Sequence, residues 1–502
     1  MKSNNHMRVL AVGIDAAEPQ FIRRLMAENQ LPALQALLKQ GGLMRVESPS
    51  RIGSGSVWPT FVTGEDPGRH GVYGQWSWQP ETMAVNHYQC HHLKPFWKTL
   101  AEQGTHSGVL DVPFAPLVGL REGFEISEWG AHDCLEGRMQ AGPAQIAELV
   151  TEHPRHPLSM DRLDAAGADD YDNLKKLADG CQEGIRLRGV LARRLIDEIR
   201  PRFSMIVFPE IHHAAHYLWH TVESDHEIYD GHMANARSDD PTVSHLYHEV
   251  DRQIGELVEA IDNETSILVF SLHGMRPARG IPAFLTRLLC ESGFARLADW
   301  SGQSWNDRAR TVIASVKRSM PKVVKDIYYK TMPHATTQRL AQPTMLPAYD
   351  WSNTRAFSLP SDQHGWIRIN LCEREAKGIV PVAQYANVCS ELEDLLRSLT
   401  TEDGKPLARE IFRSAPVGED PRGWRLPDLV AHWENAVFAS PLRIRGLGGE
   451  LRAIGTKFSG QHSLEGFCII RSQNGLPNCD SVLAKDMHKL ITGMLYTRGQ
   501  GS

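Results

Sequence analysis

The sequence predicts an α/β fold: a three-layer sandwich with a mostly parallel central sheet, helices on both faces and a helical cap insertion. Three observations carry this expectation. Short apolar runs occur at Arg8 to Ile14 (RVLAVGI), Ser204 to Phe208 (SMIVF) and Ser266 to Ser271 (SILVFS). They lack the alternation of a half-exposed strand, as buried parallel strands do. Between the last two, Leu246, Val250, Ile254, Leu257 and Ile261 recur at helical spacing. Polar residues then follow the runs: Asp15, Glu210 after Pro209, and His273 after Leu272. Open α/β sheets gather ligands at that carboxyl edge.

The remaining elements follow in order. Glu18 to Gln40 reads as one helical stretch, with Leu31, Leu34 and Leu37 or Leu38 on one face and Gly41-Gly42 ending it. Met44 to Glu47 reads as a strand, Ser48 to Ser56 as a polar loop, Val57 to Thr63 as a helix start, and Gly64 to Gly74 as a turn region. A long helical stretch ends at Arg200. Residues 282–347 are basic and contain a helical stretch from Arg308 to Thr331. They are expected to form the cap, with 1–281 and 348–502 as the core. No internal repeat is present.

Composition narrows the function classes. At 502 residues the chain suits one large domain with insertions, or two domains. A net charge of −6 gives no reason to expect nucleic acid or an anionic membrane as partner. No run of about 18 apolar residues suggests a transmembrane helix. Met1 to Met7 is polar and lacks the apolar core of a signal peptide. The eight cysteines are scattered, with no C-x-x-C pair, and read as reduced thiols. The expectation is a soluble cytoplasmic enzyme.

The strongest local signal is Glu210-Ile-His212-His213-Ala-Ala-His216-Tyr-Leu-Trp-His220. His212, His216 and His220 are spaced i, i+4, i+8, and the first two share a helix face at the spacing of a two-histidine metal site. The bland alternative is a helix surface rich in histidine; position just past a strand end favours metal. Other residues are ambiguous alone. Asp15 could be a helix cap. His273, in Leu272-His-Gly274, could mark a turn, and His462 lies in a loop (Gly460-Gln-His-Ser). Ser54 and Ser56, in Gly53-Ser-Gly-Ser-Val57, could cap the next helix or face an anion there.

Taken in order, these pieces resemble the alkaline phosphatase superfamily, most closely its type I phosphodiesterase and nucleotide-pyrophosphatase-like branch. The resemblance rests on the strand with Asp15, Trp58-Pro-Thr-Phe-Val-Thr-Gly64 with Pro67-Gly-Arg-His-Gly71, the histidine run 210–220 and His273-Gly-Met275. It continues through Gly365-Trp-Ile-Arg-Ile-Asn370, Arg374-Glu375, Gly378, Pro427-Asp-Leu429 and His462 to Gly466. It implies an alkaline-phosphatase-like fold and metal-dependent hydrolysis of a phosphodiester or related small-molecule phosphate ester. A serine or threonine beside metal would attack phosphorus and form a covalent phosphoenzyme.

Residue by residue, the resemblance implies Ser54 as nucleophile, nine positions before Thr63, with Ser56 as the alternative. It implies a metal site of His212, His216 and His462, where His212 stands at a position many relatives fill with aspartate. A second site would hold Asp15, Ser54 and His273. The sequence departs from the pattern at Leu272, which precedes His273 where an aspartate is usual. Glu210 and Asp362 are possible compensating carboxylates. One or two ions therefore remain open; three histidines suit zinc, and manganese or iron would also fit. The departure also leaves room for group transfer on the same scaffold, or for a metal-binding pseudoenzyme. His70 and His364 are expected to be structural, His364 in a loop, and Arg368, Asn370 and Asp428 to stabilise the fold. The sulfatase branch is not expected, because no C-x-P-x-R or S-x-P-x-R follows the nucleophile position.

Overall fold

Six buried residues, Val9–Ile14, form the strand at the heart of the sheet. A computed structural model describes residues 8–130, 138–158, 171–226, 229, 242–278, 284–299, 342, 345–361, 363–416, 418–434, 458–473, 475–477 and 479–496. These divide into two units, one of residues 1–66, 89–278 and 457–502, the other of 67–88 and 279–456.

The first unit is built on nine strands: β1 (Val9–Ile14), β2 (Gly42–Glu47), β3 (Ser107–Leu110), β4 (Gly123–Ser127), β5 (Gln140–Gly142), β6 (Phe203–Phe208), β7 (Ser266–Ser271), β8 (Glu465–Arg471) and β9 (Ser481–Leu483). Their order is β9-β2-β8-β7-β1-β6-β3-β4-β5. The five strands from β7 to β4 are parallel. β8 runs antiparallel to both β7 and β2, and β5 antiparallel to β4. The mostly parallel sheet expected from the apolar runs is therefore present.

Register explains why polar residues converge. Ile14 lies opposite Phe208, and Gly13 opposite Phe270. The residues following these strands therefore leave the sheet at one edge. β8 runs the other way, so its start reaches that same edge; Glu465 lies opposite Glu47 and Phe467 opposite Ser271.

Each face is covered by helices. Leu10, Val12 and Ile14 pack into one core with Phe21, Leu34, Leu191, Leu246 and Ile254. Each such fully buried side chain contributes roughly 1.5–3 kcal/mol. On the opposite face Trp58 and Phe61 of the helix Val57–Thr63 meet Phe270 of β7. Gly13 permits this approach: a Cβ there would stand 3.0 Å from the Trp58 ring.

The helical stretch expected from Glu18 to Gln40 is two helices, Pro19–Ala27 and Pro32–Gln40. Pro32 has no N–H to continue a helix and opens the second one instead. Asp251 caps that start from another helix, accepting from the backbone N–H groups of Ala33 and Leu34 at 3.0 and 2.8 Å.

The second unit has a four-stranded antiparallel sheet, ordered Ala356–Leu359, His364–Ile369, Leu429–Trp433, Ala408–Arg413. Its buried charges are paired. Arg374 holds both oxygens of Asp428 at 2.8 and 2.7 Å, and Arg368 Nε donates to Glu375 at 2.8 Å. Asn370 Nδ2 donates to the carbonyls of Trp351, Thr354 and Lys377. Arg368, Asn370 and Asp428 are thus fold-stabilising, as expected. The segment Arg308 to Thr331, and most of the expected cap at 282–347, lie outside the described residues; Leu285–Glu291 is a helix of the second unit.

Candidate functional site

β6 ends at Phe208, and after Pro209 the chain turns at once into the helix Glu210–Leu218. This helix carries His212 and His216 one turn apart, so both rings project to one side. The helix stops at Leu218, and His220 sits in a 3₁₀ turn, Trp219–Thr221. The i+8 register read from the sequence is therefore broken, and His220 does not join the cluster. Its place is taken by His462, which arrives from the short strand Gly460–His462 just before β8.

Gly460 makes that arrival possible. A Cβ on it would lie 2.2 Å from the Ala215 carbonyl oxygen, so only glycine allows the strand against the helix. Two hydrogen bonds fix the contact: Ser459 N–H donates to the His216 carbonyl at 2.7 Å, and the Gly460 carbonyl lies 3.0 Å from His216 Nδ1. His462 also pairs with Met275 across an antiparallel bridge, which brings the residues after β7 alongside.

The result is a buried triangle of imidazoles. Ring centroids are 4.9 Å apart for His212 and His216, and 4.8 Å apart for each of the other two pairs. His212 Nε2 lies 3.0 Å from His216 Nε2 and 2.7 Å from His462 Nε2. Among the described residues this is the one group of three or more His, Cys, Asp or Glu side chains placed to hold a metal ion, its donor atoms all within 4.8 Å of one another.

The outer partners fix the tautomers. His216 Nδ1 faces a carbonyl, so it carries the hydrogen and leaves a lone pair on Nε2. His212 Nδ1 lies 2.7 Å from Asp15 Oδ2, with the same consequence. The Nε2 lone pairs of His212 and His216, 3.0 Å apart, repel unless a proton or a cation lies between them. The donor set thus fits a metal ion, and neutral imidazoles with carbonyl and carboxylate outer partners are the usual surroundings of one.

Asp15 is turned toward protein groups. Oδ1 accepts from Trp58 Nε1–H at 2.8 Å, and Oδ2 faces His212. His273 stands beside them, its Nδ1 4.0 Å from Asp15 Oδ1 and its ring centroid 4.8 Å from that of His462. It is 2% exposed, and neither ring nitrogen has a hydrogen-bond partner among the described residues. Burial pushes its pKa below the ordinary histidine value, outweighing the Asp15 charge, which acts in the opposite direction.

Ser54 and Ser56 follow β2 through two 3₁₀ turns, Pro49–Arg51 and Ser54–Ser56. The second leads straight into the helix Val57–Thr63. Ser56 is wholly buried, and its hydroxyl is held by the carbonyls of Gly53 at 2.7 Å and Pro49 at 3.1 Å. Ser54 is partly exposed. The structure therefore joins Asp15, His212, His216, His273 and His462 by direct contacts, and places Ser54 beyond the same sheet edge.

Residues 9–431 match the type I phosphodiesterase / nucleotide pyrophosphatase family. The chain belongs to this family. Membership makes it a phosphoric ester hydrolase of the alkaline phosphatase superfamily. No curated protein matches the sequence. Among solved structures, phosphonoacetate hydrolase from Sinorhizobium meliloti 1021, in complex with phosphonoformate, is similar in fold. It has a TM-score of 0.52 at 13% identity, covering 98% of this chain and 96% of that one. Human ectonucleotide pyrophosphatase / phosphodiesterase 5 has a TM-score of 0.46 at 12% identity, covering 98% and 96%.

In this phosphodiesterase-family chain several supporting residues escaped the sequence reading. Glu210, considered as a compensating carboxylate, faces Arg188 instead: its Oε1 accepts from Arg188 Nε at 2.8 Å. Arg188 is wholly buried, also donates to Asp111 at 2.8 Å, and lies 4.9 Å from the Trp129 ring centre. This network anchors the first turn of the histidine helix. Glu18 likewise ties the residues around His273 and His462 together, accepting from Met275 N–H at 3.0 Å and from Ser463 Oγ at 2.8 Å. Asp362 lies outside the described residues. His364 begins a strand rather than a loop and stacks on His432 at 4.3 Å. His70 is buried, and its Nδ1 accepts from Val72 N–H at 3.2 Å.

Proposed function

We propose that this enzyme hydrolyses a small-molecule phosphodiester or related phosphate ester with Ser54 as nucleophile, aided by a metal ion on His212, His216 and His462. The observation that carries the proposal is the convergence of three buried imidazole Nε2 atoms within the fold of a phosphodiesterase family. A divalent ion bound there would supply Lewis-acid stabilisation of charge building on the phosphoryl oxygens and would ease loss of the serine proton. Zinc suits three imidazoles best, with manganese or iron as alternatives.

The chain's own residues do the rest. Ser54 Oγ attacks phosphorus as its proton passes to solvent, one ester oxygen leaves in line and is protonated to the alcohol, and water then hydrolyses the Ser54 O–P bond to release the remaining phosphate monoester. Ser56 is a poorer candidate because its hydroxyl is already held by backbone carbonyls. Asp15 and the Gly460 carbonyl hold His212 and His216 in the tautomer that aims Nε2 inward. We take 282–347 as a cap that selects the leaving group, and the cytoplasm as the working compartment, from the sequence alone.

A panel of phosphodiesters and phosphomonoesters, tested with wild type and Ser54→Ala, checks the assignment. Turnover of at least one diester, lost in the variant, is expected. Equal turnover by both proteins removes Ser54 from the mechanism.

A further inference from the structure

We propose that this chain builds a mononuclear metal centre on His212, His216 and His462, and that Asp15 is the positioning partner of His212 rather than a ligand of a second ion. The inference rests on the metal-dependent reading above. The resemblance to the superfamily implies two ions; the residues present fit one.

Four observations point the same way. Among the described residues, one trio of metal-capable side chains exists, and neither Asp15 nor His273 belongs to it. Both oxygens of Asp15 already face protein groups, Oδ1 the indole N–H of Trp58 and Oδ2 the ring of His212. The position before His273 is Leu272, wholly buried, with no lone pair to offer. Among the described residues, the neighbouring carboxylates are engaged elsewhere, Glu18 with Ser463 and the Met275 N–H, Glu210 with Arg188.

Charge decides between one ion and two. Two divalent ions about 3.5–4 Å apart bring four positive charges into a site that repels them. The second site would offer one carboxylate, Asp15, one imidazole, His273, and the Ser54 hydroxyl, a donor set with a single formal negative charge. A single ion on neutral imidazoles, with the Asp15 carboxylate behind His212, leaves a far smaller imbalance. It also accounts for Asp15 sitting where outer partners of metal-bound histidines sit. His273, whose nitrogens have no partner among the described residues, is then left to hydrogen-bond a phosphoryl oxygen of the substrate.

The test is a count of bound ions that does not depend on turnover. Full-length protein is stripped of metal and titrated with Zn²⁺ against a chromophoric chelator, and the ions retained after gel filtration are counted by elemental analysis. Circular dichroism confirms that each variant is folded, and His273→Gln stands in where His273→Ala is not. One equivalent is expected in the wild type and in His273→Ala, and none in His462→Ala. Asp15→Asn should keep one equivalent with affinity weakened roughly 10–100-fold. Two equivalents in the wild type, with one lost in His273→Ala and the other unchanged, would overturn the mononuclear centre while leaving metal dependence intact. No ion in the wild type would overturn the metal-dependent reading itself.

Discussion

The Asp15 carboxylate lies 2.7 Å from Nδ1 of His212, although 197 positions separate them in the chain. The contact exists because β1 and β6 are register-matched neighbours, so Asp15 and the histidine helix leave the sheet side by side. Trp58 completes the arrangement from the opposite face of the sheet by donating to the other Asp15 oxygen.

Trp58→Phe keeps the ring against Gly13 and removes the donor to Asp15. Asp15 then gains freedom to turn away from His212. Zinc affinity should fall, by no more than the roughly 10–100-fold typical of losing an outer partner. Competition titration with a chelator measures it; unchanged affinity would show that the indole N–H does not restrain Asp15.

Ser54→Ala and Ser56→Ala should separate cleanly. Loss of the nucleophile should cost on the order of 10³-fold or more in kcat, as for serine enzymes deprived of theirs. Ser56→Ala removes a buried hydrogen bond to the Gly53 carbonyl and should cost about 1 kcal/mol of stability, with most turnover retained. Steady-state kinetics and thermal unfolding on both variants read the two effects independently.

Arg188→Met tests the support beneath the histidine helix. It leaves Asp111 and Glu210 buried without their cation, a change that costs roughly 3–5 kcal/mol when one partner of a buried pair is lost. Denaturant unfolding should show that loss, and zinc affinity should drop with it because Glu210 opens the helix bearing His212 and His216.

Stability should fall at acid pH. Burial would raise the Asp428 carboxyl, but the Arg374 guanidinium outweighs it and holds the group below the ordinary carboxylate range. Its stabilising contribution is therefore complete above its unfolded value of about 3.9 and is lost as pH falls through the lower native value. Thermal unfolding followed down to about pH 3 should show an acid limb, and Asp428→Asn should flatten it while lowering stability at neutral pH. An acid limb of the same slope in the variant would remove Asp428 from that role.

Much of the site was legible because local pattern encodes it. Apolar runs announce parallel strands, so Asp15 and His273 could be placed at strand ends, and helical spacing pairs His212 with His216. What could not be read is long-range. His462 lies 250 positions from His212 and was reached only through the resemblance. His220 fits the helical spacing, yet the helix ends two residues earlier. Arg188 sits within a 29-residue helix with nothing in its neighbourhood to mark it as an anchor. Nor does any periodicity tell that 67–88 folds with 279–456, because contacts between distant segments leave no local trace.

The central claim is a catalytic metal ion on three histidines. Anomalous diffraction at the zinc edge, from crystals of the zinc-loaded protein, tests it most directly. The account predicts a peak bonded to Nε2 of His212, His216 and His462, at roughly 2.0–2.1 Å from each. A loaded crystal with zinc elsewhere and no peak among these three rings would contradict it.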